Sequence, residues 1–95
     1  MIAKENHYRS RKLLDSFRDA PRCFICGKAN NGTVVGAHAN WSEFGKGMGI
    51  KAHDFFTVAA CNECHRLLDS GTLSRDDQKA LWLEAWIKTV AWWFQ

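Results

Sequence analysis

The sequence predicts a single small α+β domain that spans residues 1–95. The chain is long enough for one hydrophobic core and too short for two. Two Cys-x-x-Cys pairs bracket two short strand patterns, and helical patterns lie on either side of them. We therefore expect a core at about residues 20–71, with flanking N-terminal and C-terminal helices.

Local patterns predict each element. β-branched and aromatic runs favour the strands, and a glycine-rich stretch at 41–50 favours a connector between them. Gly71 suits the left-handed end of one helix, and Ser74 with Asp77 forms a capping pattern that begins the next. In chain order, the predicted elements are a helix at 10–17, strands at 33–38 and 55–60, a helix near 64–69 and a final helix at about 75–94.

The four cysteines predict a metal site. Cys23 and Cys26 form one pair and Cys61 and Cys64 the other, and Gly27 permits the tight turn that lets two thiolates converge. No apolar run is long enough to cross a membrane, and the N-terminal stretch lacks a signal-peptide core. We therefore expect a cytoplasmic protein, in which thiols stay reduced. Four thiolates then favour a structural Zn²⁺.

The positive charge is concentrated near the N-terminus. The formal net charge is +3, and residues 1–28 hold seven basic and three acidic side chains, against six and seven in residues 29–95. Such an excess allows contacts to phosphates, although a solvated helix face accounts for it equally well.

The order of the motifs resembles that of a known family. Cys23-Phe-Ile-Cys26 is followed by Gly36-Ala-His38-Ala-Asn40, and then by Cys61-Asn-Glu-Cys64-His65-Arg-Leu-Leu-Asp69. This layout, over about residues 20–70, is similar to that of the zinc-containing HNH, or His-Me finger, endonucleases. The stretch 45–54 resembles the connector of small phage and prophage proteins in that group. The resemblance implies a zinc-stapled, treble-clef-like ββα-metal core that hydrolyses DNA phosphodiester bonds, in phage or prophage DNA processing or recombination.

The resemblance also implies roles for three side chains. His38 would be the general base at the end of the first strand, where an imidazole activates water. His65 would be a catalytic residue that binds a divalent ion, and Asp69, one helical turn later, its second ligand. That ion would be Mg²⁺, or another such as Mn²⁺ or Ni²⁺. Each of these residues also has a purely structural alternative. His38 would be a histidine at the end of a strand or a zinc ligand. His65 would be a surface histidine, and Asp69 would be a surface carboxylate.

Two positions depart from the family pattern. Ala37 stands where many members carry an acidic or histidine ligand. The family's central asparagine orients the base histidine, and that role is open here between Asn40 and Asp54. A turn-stabilising or second-shell role for His53 and Asp54 is an equal alternative.

The sequence leaves two function classes. One is a metal-dependent endonuclease, and the other is a noncatalytic zinc module that binds DNA or a protein partner. The last helix is rich in tryptophan and carries more apolar surface than one core contact requires, which allows a homodimer or a protein partner. The side chains expected to contact DNA are Arg9, Arg11, Lys12, Lys46, Lys51 and Arg66.

Overall fold

The predicted α+β class is confirmed. The computed structural model describes residues 8–47 and 51–95, and within them the chain forms a two-stranded sheet and three α-helices. Its elements are α1 (Arg11–Asp15), β1 (Val35–His38), β2 (Thr57–Ala60), α2 (Asn62–Asp69) and α3 (Arg75–Trp93), with 3-10 turns at Ser16–Asp19 and Ser42–Phe44. Residues 48–50 of the predicted connector lie outside the described part of the chain. No helix in the described ranges is long and apolar enough to cross a membrane.

The N-terminal helix packs against β1 through a close contact. Ser10 begins α1, because its hydroxyl accepts a hydrogen bond from the N–H of Leu13. The helix tightens into the 3-10 turn that carries Phe17, which is completely buried. A Cβ atom at Gly36 would lie 2.9 Å from the Phe17 ring, so this strand position needs a glycine.

The two strands form an antiparallel hairpin. Val35 pairs with Ala60 and His38 pairs with Thr57. Cys61 follows directly after β2, so the second cysteine pair leaves the hairpin beside Val35. His38 lies at the other end of the hairpin, roughly 10 Å along the strand direction.

Both strands are two residues shorter at their start than predicted, and side chains explain why. The Asn31 carboxamide accepts hydrogen bonds from the N–H and hydroxyl of Thr33, which turns the chain before β1. Before β2, the Thr57 hydroxyl donates to the Asp54 carbonyl and the Phe56 N–H donates to the His53 carbonyl. Turn hydrogen bonds therefore form at both positions, and the Phe56 carbonyl before β2 still accepts a backbone hydrogen bond from across the hairpin, that of the Ala39 N–H.

The final helix supports the back of the hairpin. The predicted Ser74 cap is confirmed, since its hydroxyl accepts from the Asp77 N–H, and the helix ends at Trp93, one residue earlier than predicted. Trp82 is buried and its indole N–H donates to the Ala37 carbonyl over 3.2 Å. α3 thereby anchors β1 next to His38.

Candidate functional site

The four cysteines meet in one cluster. Their Sγ atoms all lie within 4.8 Å of one another, and those of Cys26 and Cys61 are 4.0 Å apart. A tetrahedral zinc with Zn–S bonds of about 2.3 Å separates its sulfur ligands by about 3.8 Å. The cluster fits that geometry with small adjustments, so the four cysteines could hold a metal ion such as zinc.

The first cysteine pair sits in a turn that directs backbone donors at sulfur. The N–H groups of Ile25 and Cys26 lie 3.4 and 3.5 Å from Cys23 Sγ. Gly27 has a φ of +81°, and its N–H donates to the Cys23 carbonyl. The left-handed conformation that closes this turn is one that glycine adopts without strain, as the sequence predicted.

The thiols of the cluster differ in acidity. Burial raises the pKa of Cys23, but backbone hydrogen bonds from Cys26, Cys61 and Ile25 outweigh burial and lower it from 9.0 to about 7. Burial, together with hydrogen bonds to the other three sulfurs, raises the pKa of Cys64. A bound cation must therefore displace the proton of Cys64, which ties metal binding to pH.

His38 is paired with a buried carboxylate. Its Nε2 lies 2.8 Å from Asp54 Oδ1, and the two side chains are 18% and 3% exposed. The other oxygen of Asp54 accepts the backbone N–H of Ser10 over 2.6 Å. Because a carboxylate can only accept, Nε2 of a neutral His38 carries the proton and Nδ1 presents a lone pair. Within residues 8–47 and 51–95, that Nδ1 makes no hydrogen bond.

The structure gives the predicted DNA contact Arg9 an internal role. Its guanidinium donates to three backbone carbonyls, those of Tyr8, Ala52 and Lys51, at 2.7–3.0 Å. Its Nη1 also lies 3.5 Å from Asp54 Oδ1. Arg9 therefore belongs to the surroundings of the histidine–aspartate pair.

His65 and Asp69 are neighbours on α2, as their spacing predicted. His65 Nδ1 lies 3.7 Å from Asp69 Oδ2, and the two side chains are 43% and 56% exposed. Of the described residues, only the four cysteines form a group of three or more potential metal ligands. The structure thus does not place His38 in one ligand cluster with His65 and Asp69.

The other predicted DNA contacts are distributed over three parts of the described chain. Arg11 and Lys12 are exposed on α1, Arg66 is exposed on α2, and Lys51 and the half-buried Lys46 flank residues 48–50. Over the described ranges, none of the five forms an ion pair with a carboxylate.

The tryptophans of α3 pack inward. Trp82 is buried, and Trp86, Trp92 and Trp93 are partly buried against the core. An apolar groove of about 660 Å³ lies beside the end of this helix, where Phe94 is 83% exposed. The homodimer or protein partner inferred from this helix stays a prediction.

Comparison with known proteins assigns the chain to a family. The family model described as "Protein of unknown function (DUF968)" matches residues 1–94. The chain belongs to the DUF968 family. No curated protein and no solved structure matched the chain.

Two features of this DUF968 protein were not assigned from its sequence. The partner of His38 was open between Asn40 and Asp54, and the side-chain contact is made by Asp54. In the sequence, nothing distinguishes Arg9 from the other N-terminal cations or indicates that it has an internal partner.

Proposed function

We propose that this DUF968 protein is a metal-dependent endonuclease with a ββα-metal core that hydrolyses DNA phosphodiester bonds. The pairing of His38 with Asp54 at the end of β1 carries the proposal. An imidazole with one nitrogen held by a carboxylate and the other nitrogen free is the usual arrangement of a general base. The order of the cysteine pair, hairpin, second pair and helix supports it, because it follows the layout of the HNH endonucleases.

In the proposed reaction, His38 Nδ1 takes a proton from water while the water oxygen attacks phosphorus. The phosphorus–oxygen bond on the opposite side breaks, and the leaving oxygen takes up a proton from a solvent water molecule. The imidazolium that forms is balanced by the Asp54 carboxylate at 2.8 Å. Asp54 also keeps the ring oriented while its charge changes.

His65 and Asp69 would hold the catalytic divalent ion. Their side chains are about half-exposed, and their donor atoms, 3.7 Å apart, would close to about 3 Å as neighbouring ligands of one octahedral ion. One nitrogen and one oxygen ligand suit Mg²⁺, Mn²⁺ or Ni²⁺, which fill the remaining positions with water and phosphate oxygens. When bound, the ion supplies stabilisation of the negative charge that develops on the phosphate.

Cations without internal partners would bind the DNA backbone. Arg11, Lys12 and Arg66 are exposed and carry no ion pair among the described residues. Such side chains contact phosphates without reading sequence. The proposal therefore includes affinity for DNA that falls as salt rises.

Nicking of supercoiled plasmid tests the proposal. The purified protein is incubated with Mg²⁺, Mn²⁺ or Ni²⁺ beside His38→Ala at the same zinc content, and DNA binding is followed by fluorescence anisotropy. We expect metal-dependent nicking that His38→Ala lowers by about two to four orders of magnitude, with DNA affinity unchanged. His65→Ala should instead raise the metal concentration needed for nicking.

The same experiment identifies the rival function. A protein that binds DNA but cleaves no form of it with any of the three metals would be a noncatalytic zinc module. Nicking that survives in His38→Ala would also refute the proposal, because it would come from another residue or from a contaminating nuclease.

A further inference from the structure

The Arg9 guanidinium donates hydrogen bonds to carbonyl groups of the protein itself. Nη1 donates to the Ala52 carbonyl over 2.7 Å and to the Tyr8 carbonyl over 3.0 Å, and Nη2 donates to the Lys51 carbonyl over 2.8 Å. Both hydrogens of Nη1 are thereby used. The guanidinium is held in one orientation, although the side chain is 44% exposed.

This orientation places the cation beside the buried carboxylate. Arg9 Nη1 lies 3.5 Å from Asp54 Oδ1, the oxygen that also contacts His38 Nε2. Residues 8–10 hold Asp54 by two further bonds, because the Ser10 N–H donates to its Oδ2 and the Tyr8 carbonyl accepts its N–H. The segment therefore holds Asp54 through its backbone and both carboxylate oxygens.

We infer that Arg9 is a positioning residue that fixes Asp54 against His38, and that the segment 8–10 completes the site. A nearly buried carboxylate needs a balancing charge and bonds to both oxygens to keep one rotamer. Arg9 supplies that charge 3.5 Å from Oδ1, whereas the Ser10 N–H donates to Oδ2. The inference rests on the proposed function only in making His38 the base; the geometry of the pair can be measured without any reaction.

The planar guanidinium is needed for this role. Its nitrogens reach three carbonyls in different directions, whereas a lysine ammonium is a single point charge that cannot keep all three. A side chain that only contributed charge, or only contacted phosphate, would be replaced adequately by lysine. Substitution of Arg9 by lysine therefore distinguishes the positioning role from a role that needs only the charge.

Three variants and two readouts test the inference. Arg9→Gln and Arg9→Lys are compared with Arg11→Gln, which removes the same charge from an exposed side chain two residues away. Nitrogen-15 NMR of the imidazole reports whether His38 keeps its proton on Nε2. Plasmid nicking and anisotropy give kcat and the Kd for DNA, and zinc content and thermal melting verify folding.

We expect Arg9→Gln to disturb the Nε2–H signal of His38 and to lower kcat by about tenfold or more. Arg9→Lys should show the same changes to a smaller extent. Arg11→Gln should weaken DNA binding and leave the histidine signal as in the wild type. If Arg9→Gln does not fold, the comparison of Arg9→Lys with the wild type decides whether Arg9 is a positioning residue.

Other results would overturn the inference. An unchanged His38 signal in Arg9→Gln, with a loss of DNA affinity equal to that of Arg11→Gln, would make Arg9 a phosphate contact. Wild-type behaviour of Arg9→Lys in both readouts would show that charge alone suffices. If the wild type cleaves no DNA, the endonuclease proposal fails, and the NMR comparison still decides the role of Arg9.

Discussion

His38 Nε2 and Asp54 Oδ1 lie 2.8 Å apart although sixteen residues separate them in the chain. The hydrogen bond joins the end of β1 to the turn that precedes β2. It closes the long connector between the strands, and it assigns the proton of a neutral His38 to Nε2. The tautomer of this histidine is therefore set by the fold.

Replacing Asp54 should reverse that tautomer. In Asp54→Asn, the amide oxygen can accept from the Ser10 N–H, and the amide NH₂ then donates to His38 Nε2. The ring proton moves to Nδ1, which can no longer accept one. We expect nicking to fall by about two to four orders of magnitude, with nitrogen-15 NMR showing an Nδ1–H imidazole.

The control for this substitution is Asp15→Asn, which changes an exposed carboxylate on α1. It should leave both the histidine signal and the cleavage rate unchanged. Full nicking activity of folded Asp54→Asn would contradict the assigned role of Asp54.

Metal removal should unfold the domain. The cysteine cluster joins the turn that carries Cys23 to the start of α2, and a core of this size leaves little stability without such a link. A strong chelator, or Cys61→Ser, should abolish cooperative unfolding in circular dichroism. Elemental analysis should find one zinc per chain in the wild type.

His65→Ala is the matched control, because His65 follows Cys64 but lies outside the cluster. It should keep the full zinc content. Since burial raises the pKa of Cys64, protons compete more strongly for its sulfur as pH falls, so zinc should be released on acidification. A zinc-free protein with an unchanged melting curve would refute the structural role of the site.

A methyl group at Gly36 should loosen the packing of α1. The new Cβ would meet the Phe17 ring at 2.9 Å, and because that ring is completely buried, the ring or the backbone of β1 must shift to accommodate it. We expect Gly36→Ala to lower the free energy of unfolding by about 1–3 kcal/mol in urea denaturation. Combining it with Phe17→Leu should cost less than the sum of the two single substitutions, and strict additivity would argue against the contact.

The buried hydroxyl of Thr89 should stabilise the domain through its hydrogen bond to β2. It accepts the Ala59 N–H over 3.3 Å and donates to the Ala85 carbonyl over 2.8 Å. Thr89→Val keeps the volume but leaves the Ala59 N–H without an acceptor, which should lower the free energy of unfolding by about 1–3 kcal/mol. The exposed Thr72→Val serves as the control and should change stability by less than about 0.5 kcal/mol.

The local structure of this protein was determined by its sequence. The Ser74 cap, the left-handed turn at Gly27 and the position of α3 depend on residues within one or two turns of each other, so short-range patterns predict them. The two Cys-x-x-Cys pairs likewise predicted a cluster of four cysteines that could hold a metal ion, because four thiolates in two such pairs suit one tetrahedral ion.

The tertiary structure alone decided which groups surround His38. The sequence leaves the role open between Asn40 and Asp54, and the return of the chain toward β2 brings the Asp54 carboxylate to the ring. Arg9 reaches Ala52 across 43 residues, so no local pattern distinguishes it from Arg11. Such contacts depend on which distant segments the folded chain brings together. The residue type at a single position does not determine that arrangement.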